Sequence, residues 1–106
     1  MNNINLPNDT LKEFCRENHI KKLSLFGSVL NDDFEPGRSD IDILVEFYHG
    51  KYPSLFQFAG LEIELSELLA QKVDLKTKED LSKYFREEVI NSAVTIFDSE
   101  KDYEYA

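Results

Sequence analysis

Asp40 and Asp42 stand two apart in the run SDIDILVEF, residues 39–47, where Ile41, Ile43, Val45 and Phe47 alternate with polar or less apolar neighbours. On a β-strand, alternate residues share a face. A strand that begins at or just before Asp40 therefore projects both carboxylates to one side and the isoleucines to the other. The strand rise sets their Cα atoms about 6.5–7 Å apart. Two carboxylates at that spacing can converge on one Mg²⁺ or share a pair of ions. Without a cation they repel one another. Upstream, LFGS at 25–28 ends an apolar run with Gly27 and Ser28. Glycine lets the backbone approach a ligand closely. A helix starting near Val29 would aim free N–H groups at an anion, and the Ser28 hydroxyl could add a hydrogen bond. Further on, Asp74 lies between Val73 and Leu75 in KVDLK. If that strand lies beside the first, Asp74 completes the metal site or acts as general base toward an attacking hydroxyl.

Each feature has a plainer reading on its own. An Asp-x-Asp pair in an acidic chain is usually solvated or capping, Gly-Ser is usually a turn, and a lone strand Asp usually marks a strand end. Their joint order is far more specific. It supplies the two halves of a nucleotide site, a phosphate cradle and a metal clamp.

The surrounding pattern must hold these residues in place. Asn8-Asp9-Thr10 offers N-caps to a helix over 9–19, with Leu11, Phe14 and Cys15 at helical spacing. A short strand follows over Lys22–Phe26, then one or two helical turns over Val29–Asp33 and a turn at Glu35-Pro36-Gly37-Arg38. The strongest strand is Ile41–Phe47. After a loop at 48–54, the stripe Phe58, Leu61, Leu65, Leu68 and Leu69 predicts the longest helix, over 55–70. A third strand at 72–76 and a short turn or helix at 78–82 lead to a last helix over Tyr84–Ile96. Its inward residues are Phe85, Val89, Ile90, Ala93 and Ile96. The link between the first two strands is too short for a parallel crossover. The expected fold is α+β, a small mixed sheet with helices packed on one side.

The chain has 106 residues, enough for a single domain (core about 9–97, acidic tail 98–106). Its net charge of −9 argues against direct binding of nucleic acid, which needs a basic surface. It leaves ATP open, because a divalent metal inverts the local charge. One cysteine, Cys15, allows no internal disulfide and fits a reducing compartment. The N-terminus lacks the pattern of a signal peptide, and no apolar run reaches membrane-helix length. The expectation is a soluble cytoplasmic protein.

The segment 23–47 resembles the signature of the nucleotidyltransferase (DNA polymerase β-like) superfamily. From about Leu11 to Phe97 the chain is similar to minimal nucleotidyltransferase, or MNT-domain, proteins. The likeness lies in LFGS, SDIDILVEF, LEIELSELL, KVDL and YFREEVINSAVTIF. The resemblance implies that Asp40, Asp42 and Asp74 are catalytic and bind Mg²⁺, and that Gly27 and Ser28 hold the phosphates of ATP. It also implies a partner. Such proteins act as antitoxins beside a HEPN-domain ribonuclease toxin, transferring AMP from ATP to a toxin tyrosine. Two departures stand out. Eleven residues, Val29–Ser39, separate Gly-Ser from Asp40, where ten are common, and Leu30-Asn31-Asp32 replaces a frequent Ala-Arg-Gly.

Two other functions fit the same residues. The domain could neutralise its partner by binding alone, through apolar helix positions such as Leu55 and Ile63. A small-molecule substrate of aminoglycoside type fits less well, because the chain lacks a second domain to form the acceptor pocket and would need one built across a dimer. A homo- or hetero-oligomer is compatible with the chain's small size. Among single residues, Arg38 reads as a solvated turn residue and Arg86 as a structural ion pair with a neighbour such as Glu87. His19 reads as a helix end, Cys15 as core, and Tyr103 and Tyr105 as part of a frayed tail. His49, with no second ligand nearby, does not suggest zinc.

Overall fold

The alternation at 41–47 becomes a strand whose odd residues are buried and whose even residues face outward. In a computed structural model, which describes residues 6–101, this is β2 (Ile41–Phe47). The chain order is α1 (Asn8–Glu17), β1 (Ile20–Phe26), β2, α2 (Leu55–Leu69), β3 (Val73–Lys76), α3 (Arg86–Ser92) and β4 (Val94–Asp98). Short 3-10 turns occupy Gly27–Leu30 and Lys78–Asp80.

The sheet order is β3-β2-β1-β4. β1 pairs antiparallel with both β2 and β4, and β2 pairs parallel with β3. The sheet is therefore mixed, as the short β1–β2 link requires. The parallel pair is the one joined through a helix, α2. Ser54 starts that helix with a reciprocal cap: its hydroxyl accepts from Gln57 N–H at 3.2 Å, and Gln57 Oε1 accepts from Ser54 N–H at 2.8 Å.

One face of the sheet carries the core. Leu23, Leu25, Ile41, Ile43, Val45, Val73 and Leu75 join Leu11, Phe14 and Cys15 of α1 and Leu61, Leu65 and Leu69 of α2 in one buried cluster. Helix α2 also closes the free edge of β3. Glu62 Oε2 accepts from Leu75 N–H at 2.8 Å, and Ser66 Oγ accepts from Val73 N–H at 2.9 Å. An edge strand covered in this way cannot pair with another chain.

Four expectations change. The helix over Tyr84–Ile96 is a seven-residue α3 followed by a strand, β4. Ala93 turns extended, at φ −64° and ψ 145°, and the β-branched run Val94–Ile96 opens a strand in which Val94, Thr95 and Phe97 pair with Leu25, Ser24 and Leu23 of β1. Phe97 is the buried anchor, whereas Phe85 and Ile90 face solvent. The turns after Ser28 form a single 3-10 turn that starts at Gly27. Helix α1 starts at Asn8, after Pro7, with no side-chain cap from Asp9 or Thr10. His19 lies beyond its end, at φ 57°. Tyr103 and Tyr105 lie outside the described residues. Among the described residues no helix is long and apolar enough to cross a membrane.

Candidate nucleotide site

Register brings the key residues together on the sheet face away from the core. Asp42 of β2 pairs with Phe26 of β1 on one side and with Asp74 of β3 on the other. Because Val73 and Leu75 point into the core, Asp74 must point with Asp42 to the open face. Asp40 immediately precedes β2. The turn before it closes on itself, with the N–H groups of Arg38 and Ser39 both donating to the Glu35 carbonyl at 3.0 and 2.8 Å. Gly37, at φ 85°, supplies the left-handed residue of that turn, and its N–H donates to Gln71 Oε1. The eleven residues between Ser28 and Asp40 thus end in a tight turn, beyond which β2 keeps one register with β1 from Asp42 to Glu46.

Gly27 follows Phe26 and sits over Asp42. Its φ is 76°, in the left-handed region, and a Cβ placed there would collide with Asp42 Oδ2. Ser28 comes next, half-buried in the 3-10 turn. The expected cradle is therefore one tight turn set directly against the carboxylates.

The three carboxylates are neighbours without forming a closed cage. Among the described residues no group of three or more His, Cys, Asp or Glu side chains is gathered to hold a metal ion. The outer two each lean on a lysine: Asp40 Oδ2 lies 3.8 Å from Lys72 Nζ, and Asp74 Oδ1 lies 3.5 Å from Lys76 Nζ. Asp42 stands between them. Burial pushes its pKa up, the charges of Asp74 and Asp40 add to the rise, and Lys76 offsets part of it. An excess of negative charge thus centres on Asp42. Mg²⁺ takes hard oxygen ligands and commonly needs only one or two carboxylates, with substrate phosphates and water supplying the rest. The oxygen donor set and the repulsion that remains on Asp42 both fit such an ion.

Lys72 and Lys76 were not singled out in the sequence. For Lys76 the clue was present, since it stands two residues beyond Asp74 on the same strand and so shares its face. Arg38 pairs with Glu35 at 3.6 Å in solvent. Arg86 donates from Nη2 to the Leu81 carbonyl at 3.1 Å, which fixes the approach to α3. Cys15 is fully buried, and burial pushes its thiol up to about 12, so it is an inert core residue.

Fold and site together define a small α+β domain of nucleotidyl-transfer type: a Gly-Ser turn set against strand carboxylates on an open sheet face. Comparison with known proteins agrees. Residues 8–96 match the model of the nucleotidyltransferase domain. Over 94 residues the chain is 34% identical to a Methanocaldococcus jannaschii protein provisionally named a protein adenylyltransferase, covering 89% of this chain and 98% of that one. A structure described provisionally as a minimal nucleotidyltransferase superposes with a TM-score of 0.66 at 29% identity, covering 82% of this chain and 86% of that one. The fold also occurs in the Shewanella oneidensis complex of a tri-AMPylated HEPN toxin with an MNT antitoxin. There the TM-score is 0.60 at 22% identity, over 92% of this chain and 75% of that one. The chain belongs to the nucleotidyltransferase domain family, and its class is that of a nucleotidyl-transferring enzyme.

Proposed function

We propose that this protein is an MNT-type antitoxin that transfers AMP from ATP to a hydroxyl, a tyrosine in the first instance, of a cognate HEPN-domain ribonuclease toxin. The observation that carries the chemistry is the register of Asp42 against Asp74, with Gly27 closing over Asp42. The adenylyltransferase names of the relatives support AMP as the transferred group. The toxin–antitoxin complex of like fold supports the choice of acceptor.

In this reading the Gly27–Ser28 turn receives the phosphates, because a side chain at Gly27 would fill the approach. Asp40 and Asp42 would hold Mg²⁺, which when bound neutralises phosphate charge and stabilises the charge that develops during transfer. Asp74 orients the acceptor hydroxyl and takes its proton. The hydroxyl oxygen forms a bond to the α-phosphorus, the bond from that phosphorus to the bridging oxygen of the β-phosphate breaks, and pyrophosphate leaves. Lys76, beside Asp74, keeps that carboxylate from adding fully to the repulsion on Asp42.

The test is intact mass spectrometry of the HEPN-domain partner after incubation with this protein, ATP and Mg²⁺. One or more AMP additions are expected, and none with the Asp40→Ala/Asp42→Ala double variant. A stable complex that never gains mass would reject the transferase reading and leave neutralisation by binding.

A further inference from the structure

Helix α2 carries large apolar residues on its outer side as well as its inner one, beside the exposed Glu64 and Glu67. Leu61, Leu65 and Leu69 face the core, yet Leu55, Phe56 and Ile63 are 88%, 93% and 62% exposed. A helix lying over a sheet ordinarily turns charged residues outward, and one that is apolar all round is normally covered on both sides. Helix α1 of the same chain follows the ordinary rule: Leu11, Phe14 and Cys15 are buried, while Glu13, Arg16 and Glu17 are exposed. The contrast belongs to α2 alone of the two.

The exposed residues form a stripe. Phe56, Gly60 and Ile63 recur at i, i+4 and i+7, with Ala59 beside them, all exposed. Small residues between two large ones leave a notch into which the ridge of another helix can pack. Two grooves flank the stripe. One, of about 520 Å³, is lined by Glu17, Gln57, Gly60 and Glu64. The other, of about 470 Å³, is lined by Ile63, Glu67 and Ala70. Lys51 borders the first groove and Lys72 the second, but Lys72 is already paired with Asp40. The borders are thus mainly acidic, on a chain of net charge −9. A second copy would meet its own charge here, whereas a cationic surface would be attracted.

We infer that the outer face of α2 is the docking surface for a protein that presents an apolar helix flanked by Lys or Arg. Since α2 lies on the core side of the sheet, this partner is held away from the open face that carries Asp42 and Asp74, and reaches toward it only at Lys72, the lysine paired with Asp40. Docking then needs no contact with Asp42 or Asp74 and requires neither ATP nor Mg²⁺. The inference rests on the proposed function only in taking the acceptor protein as this partner.

The experiment measures binding of the purified HEPN-domain partner by calorimetry, with and without Mg²⁺-ATP. The Phe56→Lys/Ile63→Lys variant should bind about thirtyfold more weakly or worse, which is the scale of losing a central contact. Its circular dichroism and Tm should be unchanged, because both side chains are exposed. Asp42→Asn should bind as wild type does. Glu64→Lys should weaken binding and flatten its salt dependence. Undiminished binding by the lysine variant, or the lack of any complex between the wild-type proteins, would overturn the inference. So would a wild-type homodimer that the lysine variant dissolves, since the occupant would then be a second copy. A complex that breaks on α2 substitution but shows no AMP transfer would leave this inference standing and remove the proposed activity.

Discussion

Gly27 lies so close to Asp42 that a Cβ on the glycine would collide with the carboxylate oxygen Oδ2. The contact follows from register, since Phe26 pairs with Asp42 and Gly27 is the next residue. It fixes how near a phosphate can come to the carboxylates. Gly27→Ala must both shift Asp42 and place an L-residue at φ 76°. The left-handed conformation alone costs about 1–2 kcal/mol. The expected result is a loss of that order in urea unfolding, together with loss of Mg²⁺-ATP binding. Tight nucleotide binding by the alanine variant would show that the turn is not the cradle.

Asp42 is held against its own preference. Its pKa is raised by burial first and then by Asp74 and Asp40. A carboxyl group with a higher pKa folded than unfolded is destabilising once ionised. The penalty is absent below the ordinary carboxylate range and complete above the raised value, so metal-free stability falls as pH rises through that window. Asp42→Asn removes the charge. In EDTA at neutral pH it should be more stable than wild type and show a flatter stability profile from pH 4 to 7, while AMP transfer disappears. Urea midpoints across that pH range check the sign; a less stable Asn variant in EDTA would refute it.

The site was far more legible in the sequence than the end of the fold. Asp-x-Asp with alternating isoleucines admits one strand register, and Val73 and Leu75 fix the direction of Asp74. Such patterns carry their own geometry. What sequence could not show was that Asp40 turns toward Lys72, because that depends on where β3 docks. The segment 84–98 misled for a different reason. Val89, Ile90, Ala93 and Ile96 match helical spacing by coincidence, while the β-branched run after Ala93 carries the true preference for a strand. That run becomes a strand because β1 offers it a free edge.

The repulsion stored around Asp42 should be released by a divalent ion. Mg²⁺ with ATP is therefore expected to raise the Tm of the wild-type protein. At a free ligand concentration 100 times the Kd, the gain is about 2.7 kcal/mol. The Asp40→Ala/Asp42→Ala variant should show no shift. The Lys76→Gln variant should leave Asp42 facing more repulsion and so gain more from Mg²⁺ than wild type does. Thermal denaturation with Mg²⁺ alone, ATP alone and both together separates these contributions, and equal shifts in wild type and the double alanine variant would place the ion elsewhere.

The strand assignment at the end of the fold makes a prediction that the helix reading does not. On a helix over 84–96, Phe85 and Ile90 would be core residues and Phe97 a peripheral one. In the structure Phe97 is 5% exposed and pairs with Leu23, while Phe85 and Ile90 are 61% and 43% exposed. Removing a buried aromatic side chain costs about 3–5 kcal/mol, whereas exposed substitutions usually stay within about 0.5 kcal/mol. Phe97→Ala should therefore be severely destabilised, and Phe85→Ala and Ile90→Ala should unfold close to wild type. The reverse order in urea unfolding would restore the longer helix. Because β1 ends at Phe26, immediately before Gly27, loss of the β1–β4 pairing should also loosen the turn over Asp42. Phe97→Ala should then weaken Mg²⁺-ATP binding even at temperatures where it remains folded.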